Sequence, residues 1–258
     1  MRAFWVAFGI ATHALFGLTV CRLFPFLEGQ GRITGLLTRH MASAANLRLD
    51  ALLAIQFAVL HSAFLLPRTR QWLTRRIPSP LYGCVFCALT CVSLLLTIEA
   101  WRPSPVTFWR LHGSARLAVS TAFLLSWAAL FYSLSLTGLG YQTGWTPWWA
   151  WLRRRSLTRS WRQPRGAYRF FRHPIYASFL GLIWFTPTMT LDRAILLAVW
   201  TVYIFVGSYL KDRRLVHYVG DPYRHYQARV PGYPLFVFGP LAKIPLQEHM
   251  APELRCAA

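Results

Sequence analysis

The sequence predicts an all-α, polytopic integral membrane protein that forms a single membrane domain over residues 1–258 and has about six membrane helices. Hydrophobic residues make up 55% of the chain and charged residues only 14%, whereas soluble domains carry about 25% charged residues. The mean hydropathy is +0.35. Apolar runs close to the roughly 20 residues that a spanning helix needs recur along the chain, and together these observations predict the fold class.

Six apolar segments are candidate membrane spans. They cover residues 3–24, 49–66, 81–100, 117–139, 174–191 and 194–210. The first is longer than the apolar region of about 7–15 residues in a signal peptide, so we expect it to be retained. The first four spans form an N-terminal membrane part over residues 1–140, and residues 150–235 carry the polar motifs on the cytoplasmic side.

The last two spans are predicted to form a tight helical hairpin, because only residues 191–193 separate them. Pro187 is expected to kink or end the first helix of this hairpin, since proline lacks an N–H and clashes with the preceding turn. A turn at residues 220–222 then starts a short amphipathic helix. Its apolar and aromatic residues recur at helical spacing: Tyr223, Tyr226 and Val230.

The net charge of +20 arises from 28 basic and 8 acidic residues, and the arginines cluster between the apolar segments. With the loops placed on alternate sides, 20 of the 28 basic residues share the side of both termini. Basic loops face the cytoplasm, so both termini and the polar motifs are predicted to be cytoplasmic. Anionic lipid headgroups account for this charge, and we expect no nucleic-acid partner.

The first polar motif is Arg172-His173-Pro174-Ile175-Tyr176, at the start of the fifth span. Pro174 suits the first turn of a helix. His173 next to a helix N-terminus is either a capping or headgroup-contacting residue, or part of a site for an anionic group that the unpaired N–H groups attract. Because the hairpin returns on itself, this motif and the end of the sixth span should lie close together.

Asp212 and Arg229 are further candidates. Of the eight acidic residues, only Asp212 is predicted at a cytoplasmic helix end near His173. Its carboxylate either pairs with neighbouring cations or accepts hydrogen bonds from an ammonium group or a sugar hydroxyl. Arg229 either contacts lipid headgroups or orients the carboxylate of a substrate or cofactor.

No zinc ligand set, catalytic triad, phosphate-binding glycine loop or dinucleotide fingerprint occurs, and no metal site is predicted. Three cysteines share one helical face and are expected to be core residues: Cys84, Cys87 and Cys91. The alternative from another functional class is a non-catalytic membrane protein that binds haem, a quinone or a protein partner. Its candidate ligands are His13, His61 and His112.

At these motifs the chain resembles the isoprenylcysteine carboxyl methyltransferase and phospholipid methyltransferase superfamily. The resemblance is carried by Gly166-Ala167-Tyr168, by Arg172-His173-Pro174-Ile175-Tyr176, by Gly220-Asp221-Pro222-Tyr223, and by residues 226–231. Within the superfamily the chain is similar to the bacterial NnrU-like branch, which includes methanethiol S-methyltransferases. That likeness is carried by Gln56-Phe57, His61-Ser62, Trp101-Arg102-Pro103 and residues 184–190.

The resemblance implies S-adenosylmethionine as the methyl donor and a small thiol such as methanethiol as the acceptor, in a bacterial inner membrane. A lipid-like carboxylate or amine is the alternative acceptor. The donor-binding residues that it implies are Tyr168, His173, Pro174, Tyr176, Asp212 and Tyr226. Arg172 and Arg229 are the residues expected to assist catalysis, since a cation beside a desolvated thiolate lowers the pKa of the thiol.

Two positions depart from the superfamily pattern. Lys211-Asp212 stands where that pattern has two acidic residues, and Ser178 stands where it has a glycine. The loss of one negative charge is expected to weaken donor binding or to reshape the donor pocket.

Overall fold

The structure is a computed structural model that describes residues 2–29, 44–157, 161 and 163–246. The described residues are mainly helical, which confirms the all-α polytopic class. In chain order the helices are α1 (Arg2–Glu28), α2 (Ala44–Phe64), α3 (Pro67–Thr74), α4 (Tyr82–Ala100), α5 (Gly113–Thr137), α6 (Leu139–Gln142), α7 (Trp145–Leu152), α8 (Pro174–Trp184), α9 (Leu191–Val219) and α10 (Asp221–Arg229). Single 3₁₀ turns lie at Ser79–Leu81 and Gly166–Arg169, and two short strands are β1 (Thr107–Arg110) and β2 (Thr188–Thr190).

Five of the described helices are long and apolar enough to cross a membrane: α1, α2, α4, α5 and α9. The predicted span over residues 174–191 does not form one continuous helix, so its helical bounds differ from the prediction. Helix α8 has only 11 residues and ends at Trp184, so its length of about 17 Å falls short of a hydrocarbon core of about 30 Å.

The short length of α8 has a local cause. Pro187, which was expected to kink or end this helix, follows shortly after its last residue and cannot continue the helical hydrogen bonds. The Pro187 carbonyl instead accepts a hydrogen bond of 2.9 Å from the backbone N–H of Leu111. Strand β2 then pairs antiparallel with β1, with Arg110 opposite Thr188. The backbone groups that leave the helix are therefore satisfied by a two-stranded ribbon.

The predicted hairpin of the last two apolar helices is confirmed. Trp184 at the end of α8 donates from Nε1 to Thr201 Oγ1 of α9 over 3.1 Å. Tyr176 near the start of α8 lies against Gly207, further along α9. The end of α8 therefore contacts an earlier part of α9 than the start of α8 does, so the two helices pack antiparallel.

The described residues divide into two compact units. The first unit contains the described residues of 2–157 together with residues 175–207, and its core is a buried apolar cluster that includes Leu53, Phe123, Leu182 and Trp200. The three cysteines of α4 all lie on its buried face, as their spacing predicts: Cys84, Cys87 and Cys91.

Two backbone segments of the first unit approach each other very closely at the start of α4. A Cβ on Gly83 would lie 2.7 Å from the Cα of Gly144, and a Cβ on Gly144 would lie 2.3 Å from the backbone nitrogen of Cys84. Gly144 also has a φ of +81°, which only glycine adopts readily. Glycine at both positions lets the segment before α7 pack directly against α4.

Two buried carboxylates organise the loop that follows α4. Asp192, in the first turn of α9, accepts hydrogen bonds from Trp101 Nε1 (2.8 Å) and from the backbone N–H of Ser104 (2.9 Å). Asp50 of α2 accepts one from the backbone N–H of Arg102 over 2.9 Å. The loop is thus tied to two membrane helices through its backbone and its tryptophan.

The second unit contains residue 161, residues 163–174 and residues 208–246 among those described. Helix α10 confirms the predicted amphipathic helix, since Tyr223 and Tyr226 lie on its buried side. The chain after α10 pairs with the Arg172-His173 segment: the Arg172 N–H donates to Pro231 O (2.8 Å) and the His173 N–H donates to Gly232 O (3.1 Å).

Candidate functional site

Arg172 and Asp212 form a buried ion pair at the centre of the second unit. Their side chains are 0% and 3% exposed. Arg172 donates from both Nε (3.1 Å) and Nη2 (2.8 Å) to the same carboxylate oxygen, Asp212 Oδ2. The sequence predicted that these two motifs would lie close together, and the structure brings them into direct contact. Buried charges such as those of Arg172 and Asp212 are tolerated in a protein interior only when they are paired and hydrogen-bonded.

The remaining guanidinium nitrogen of Arg172 holds the C-terminal part of the unit. Nη1 donates to the carbonyl oxygens of Val230 (2.6 Å) and Ala242 (3.1 Å), and more weakly to that of Gln227 (3.4 Å). The fork of Arg172 therefore links α9, the end of α10 and the chain beyond it. A lysine could not make this set of contacts, because its charge sits on a single nitrogen.

The other oxygen of Asp212 contacts a tyrosine and a histidine. Tyr223 donates its hydroxyl to Asp212 Oδ1, and His173 Nε2 lies 3.2 Å from the same oxygen. Burial raises the pKa of Tyr223 far above its ordinary value, and the adjacent carboxylate adds to this rise, so the phenol keeps its proton and donates it. Both carboxylate oxygens of Asp212 therefore accept hydrogen bonds from side chains of the second unit.

His173 is held neutral by its surroundings. Burial lowers the pKa of His173, although its interaction with Asp212 opposes the change, and the nearby cations Lys211 and Arg172 lower it further. Its ring centre lies 5.6 Å from that of Tyr233, whose hydroxyl forms a 2.5 Å hydrogen bond with Ser208. The imidazole is therefore a buried, uncharged part of the cluster.

Tyr168 and Tyr226 are also brought together. The Tyr226 hydroxyl donates to the backbone carbonyl of Tyr168 over 2.6 Å. Burial raises the pKa of Tyr226, so it is a neutral donor as well. The bond fixes the 3₁₀ turn at Gly166–Arg169, which leads into the Arg172-His173 motif.

Pro174 and Tyr176 lie on α8. Pro174 is buried and occupies the first helical position, as the sequence predicted. Tyr176 belongs to the first unit, where it packs against the apolar core and lies near Gly207 of α9. Ser178, which departs from the superfamily pattern, is buried on the same helix.

Arg229 lies in an open cleft of the second unit. Its Nε donates to the His225 carbonyl within α10 over 3.3 Å, and its side chain is exposed. The cleft has a volume of about 370 Å³. Its lining combines aromatic, cationic and amide side chains: Trp161, Gln163, Arg169, His225, Tyr226 and Arg229. Trp161 packs against the α10 tyrosines, with ring centres 5.5 Å from Tyr223 and 6.1 Å from Tyr226.

Lys211 and Asp212, which stand where the resemblance predicted two acids, have different surroundings. Asp212 is the buried residue that makes the ion pair, whereas Lys211 is partly exposed. The acid that this chain retains is therefore the one whose carboxylate organises the cluster.

Sequence reasoning did not assign site roles to Tyr223, Tyr233 or Trp161. The helical spacing of Tyr223 and Tyr226 placed them on one face but gave no partner for the hydroxyl of Tyr223. Trp161 is an aromatic residue within an arginine-rich, polar stretch, and that contrast was an available signal for the cleft.

The alternative hypothesis of a non-catalytic ligand-binding protein named three histidines, and these have different neighbours in the structure. The His13 ring lies 4.8 Å from that of Trp145, and the His61 ring lies 5.0 Å from that of Phe86. His112 precedes α5 as its N-cap residue. Within the described residues, no group of three or more histidine, cysteine or acidic side chains is arranged to hold a metal ion.

The fold and the cluster together define a polytopic α-helical membrane protein in which a buried Arg-Asp-His-Tyr network links the Arg172-His173 segment to α9 and α10. Comparison with known proteins gives the family. The chain is 31% identical over 232 residues to methanethiol S-methyltransferase 1 of Bradyrhizobium diazoefficiens, a match that covers 86% of this chain and 79% of that relative. It is 30% identical over 186 residues to methanethiol S-methyltransferase of Pseudomonas deceptionensis, with 71% of each chain covered.

Nurim of Rattus norvegicus is a more distant relative, 25% identical over 181 residues, with 66% of this chain and 68% of nurim covered. No protein-family model matches the chain, and no solved structure matches it. The similarity over most of the chain shows that it belongs to the methanethiol S-methyltransferase family of membrane methyltransferases, which confirms the resemblance found in its motifs.

Proposed function

We propose that this protein transfers a methyl group from S-adenosylmethionine to a small thiol such as methanethiol. The observation that carries the proposal is the similarity to methanethiol S-methyltransferase 1 over 86% of the chain, together with the buried network of Arg172, His173 and Asp212. The named relative acts on methanethiol, and the same acceptor is proposed here.

The open cleft beside α10 is the proposed binding region for the donor. S-adenosylmethionine supplies an electrophilic methyl group on a sulfonium and also carries a carboxylate, an ammonium group and an adenine ring. The cleft offers chemically matched groups, since Trp161 and Tyr226 present aromatic surfaces and Arg169 and Arg229 present cations. Aromatic faces favour both a planar base and a positive charge, and arginine favours a carboxylate.

In this assignment Arg229 contacts the donor carboxylate, which is one of the two roles that the sequence left open for it. For Arg172 we propose a role other than the expected catalytic one, because its nitrogens are turned to Asp212 and to backbone carbonyls inside the unit. We assign it as a positioning residue that fixes α10 and the chain around the cleft. Asp212, His173 and Tyr223 act with it in the same network.

A thiol acceptor loses its proton readily in this site. A thiol near the arginines of the cleft has a lowered pKa, and the resulting thiolate is the nucleophile. The protein then contributes mainly proximity and orientation. A thiol acceptor is favoured over an amine because the buried His173 is committed to the network and is not placed as a general base in this assignment.

The site is proposed to face the cytoplasm of a bacterial inner membrane, with both termini on that side. The support is the basic-residue asymmetry, with 20 of 28 lysines and arginines on one side of the predicted topology. Cytoplasmic placement gives the polar donor direct access to the cleft.

Binding of S-adenosylmethionine to purified protein in lipid nanodiscs tests the donor assignment. Wild type should bind, and Arg229→Gln should bind about tenfold more weakly, since a hydrogen bond to a charged group contributes roughly 1.5–3 kcal/mol. Arg224→Gln is the matched control, because Arg224 is exposed on the same helix and pairs with Asp221 instead. No binding by wild type would overturn the proposal, and equal binding by both variants would place the donor elsewhere.

A further inference from the structure

The chain beyond α10 forms a loop with an unusually apolar exposed tip. We name residues 234–239, with the sequence Pro-Leu-Phe-Val-Phe-Gly, the apolar loop. Leu235 is 90% exposed, Val237 74% and Phe238 86%. Large apolar side chains that are almost fully exposed side by side mark an interaction surface in a folded protein.

The base of the loop, which we call the neck, consists of Gly232, Tyr233 and Leu241, and several contacts hold it in place. The backbone N–H of Gly232 donates to the Leu241 carbonyl over 2.7 Å and closes the loop at its base. Phe236 alone turns back, with its ring centre 5.3 Å from that of Tyr233. A Cβ on Gly232 would lie 2.6 Å from Leu241 O and 3.2 Å from the His173 ring, so the neck packs tightly against the motif. The tip is thus an ordered feature that projects its apolar side chains outward.

The neck is attached to α9, a helix that is long and apolar enough to cross a membrane. The Tyr233 hydroxyl forms a 2.5 Å hydrogen bond with Ser208, which lies within α9. At about 1.5 Å per residue, Ser208 is roughly 25 Å along α9 from Leu191. The hydrocarbon core of a bilayer is about 30 Å thick, so a helix that enters at Leu191 is still within the core at Ser208.

Charge around the loop is consistent with a membrane boundary. No charged residue occurs between Arg229 and Lys243, and the side chains of both are exposed. Apolar residues flanked by basic ones are the pattern of a segment that inserts between lipid headgroups.

We propose that the apolar loop inserts its tip into the hydrocarbon of the bilayer and anchors the second unit to it. Leu235, Val237 and Phe238 enter the lipid, while Lys243 remains at the headgroup level. Because the neck contacts His173 through Tyr233 and Gly232, insertion would also hold the motif segment at a fixed depth. The inference is independent of the methyl acceptor and of the reaction itself.

Spin-label accessibility tests this insertion. The full-length protein with Cys21 and Cys256 replaced by serine would carry Val237→Cys with a nitroxide label, in nanodiscs of phosphatidylcholine and phosphatidylglycerol. A label in the hydrocarbon collides more often with oxygen than with a water-soluble nickel chelate. Asp221→Cys is the control, because Asp221 is exposed at the start of α10.

We expect the ratio of oxygen to nickel accessibility at position 237 to exceed that at position 221 by at least threefold. Leu235→Cys and Phe238→Cys repeat the measurement at the other tip positions, and unchanged thermal unfolding midpoints confirm that the labelled variants fold. Equal ratios at 237 and 221 would show a tip in water. A label at 237 that neither reagent reaches would show a tip covered by protein. Either result would overturn the proposal.

Discussion

Arg172 connects several segments of the cluster. It is fully buried, it makes both contacts with Asp212 Oδ2, and it donates to carbonyls from two further segments. The sequence placed Arg172 in the correct neighbourhood, but it could not reveal that the guanidinium points inward. The exposed Arg229 is, by contrast, free to face a ligand in the cleft.

Replacement of Arg172 by glutamine should destabilise the protein by about 3–5 kcal/mol, because it leaves Asp212 buried without its cation. The measurement is chemical unfolding of the purified variant in detergent. Arg224→Gln is again the control, since its ion pair with Asp221 is exposed and should contribute no more than about 1 kcal/mol. Equal stability of the two variants would contradict the assignment of Arg172 as the centre of the cluster.

His173 gives the protein a pH dependence with a definite sign. Burial lowers the pKa of His173 in the folded state, so the unfolded chain binds a proton first as the pH falls. The stability associated with His173 is therefore complete above the unfolded pKa of about 6.5 and decreases as the pH falls below it, towards the lower folded pKa.

Thermal unfolding between pH 7.5 and pH 5 tests this prediction. The unfolding temperature of wild type should fall over this range, and the fall should be smaller in His173→Asn, which cannot titrate. The comparison with the variant removes the contributions of other groups that titrate in the same range. The same slope in both proteins would show that His173 does not control the pH dependence.

At the scale of elements, the sequence predicted the helices better than their ends. Periodicity and hydropathy identified four long spans, the hairpin and the amphipathic helix α10. They did not reveal that the chain after α8 pairs with the loop after α4, because the partner strands lie far apart in the sequence. Asp192 similarly appeared to be a residue of a short turn, whereas it is buried against Trp101 and Ser104.

Gly232 provides a test of the neck that joins α10, the motif and the apolar loop. Gly232→Ala should lower the unfolding temperature by several degrees, because the added Cβ meets Leu241 O at 2.6 Å. Gly17→Ala in α1 is the control, since a Cβ at that position meets no atom within 4 Å. If both substitutions are neutral, the neck is less tightly packed than the structure indicates.

At the scale of the whole molecule, hydropathy predicted a membrane protein and the motifs predicted its family, and both are confirmed. The site was only partly predictable. The predicted hairpin topology placed Arg172, His173 and Asp212 close together. It could not separate buried positioning residues from cleft residues, because burial depends on tertiary packing that no single motif encodes.

The predicted orientation applies to the whole chain and can be tested without activity. Alkaline phosphatase fused after the last residue should be inactive in bacterial cells, whereas a green fluorescent protein fusion at the same point should fluoresce. These results follow if the basic loops stay in the cytoplasm. The opposite pair of results would reverse the topology and remove the proposed cytoplasmic access to the cleft.

The most direct test of the central claim is methyl transfer by the purified protein in nanodiscs. Methanethiol is supplied with S-adenosylmethionine that carries a deuterated methyl group, and the headspace gas is analysed by mass spectrometry. The account predicts dimethyl sulfide with one deuterated methyl group from wild type and from Arg224→Gln, and at least tenfold less from Arg229→Gln at a low donor concentration. A wild-type protein that binds the donor but forms no labelled dimethyl sulfide would contradict the claim that a small thiol is the acceptor.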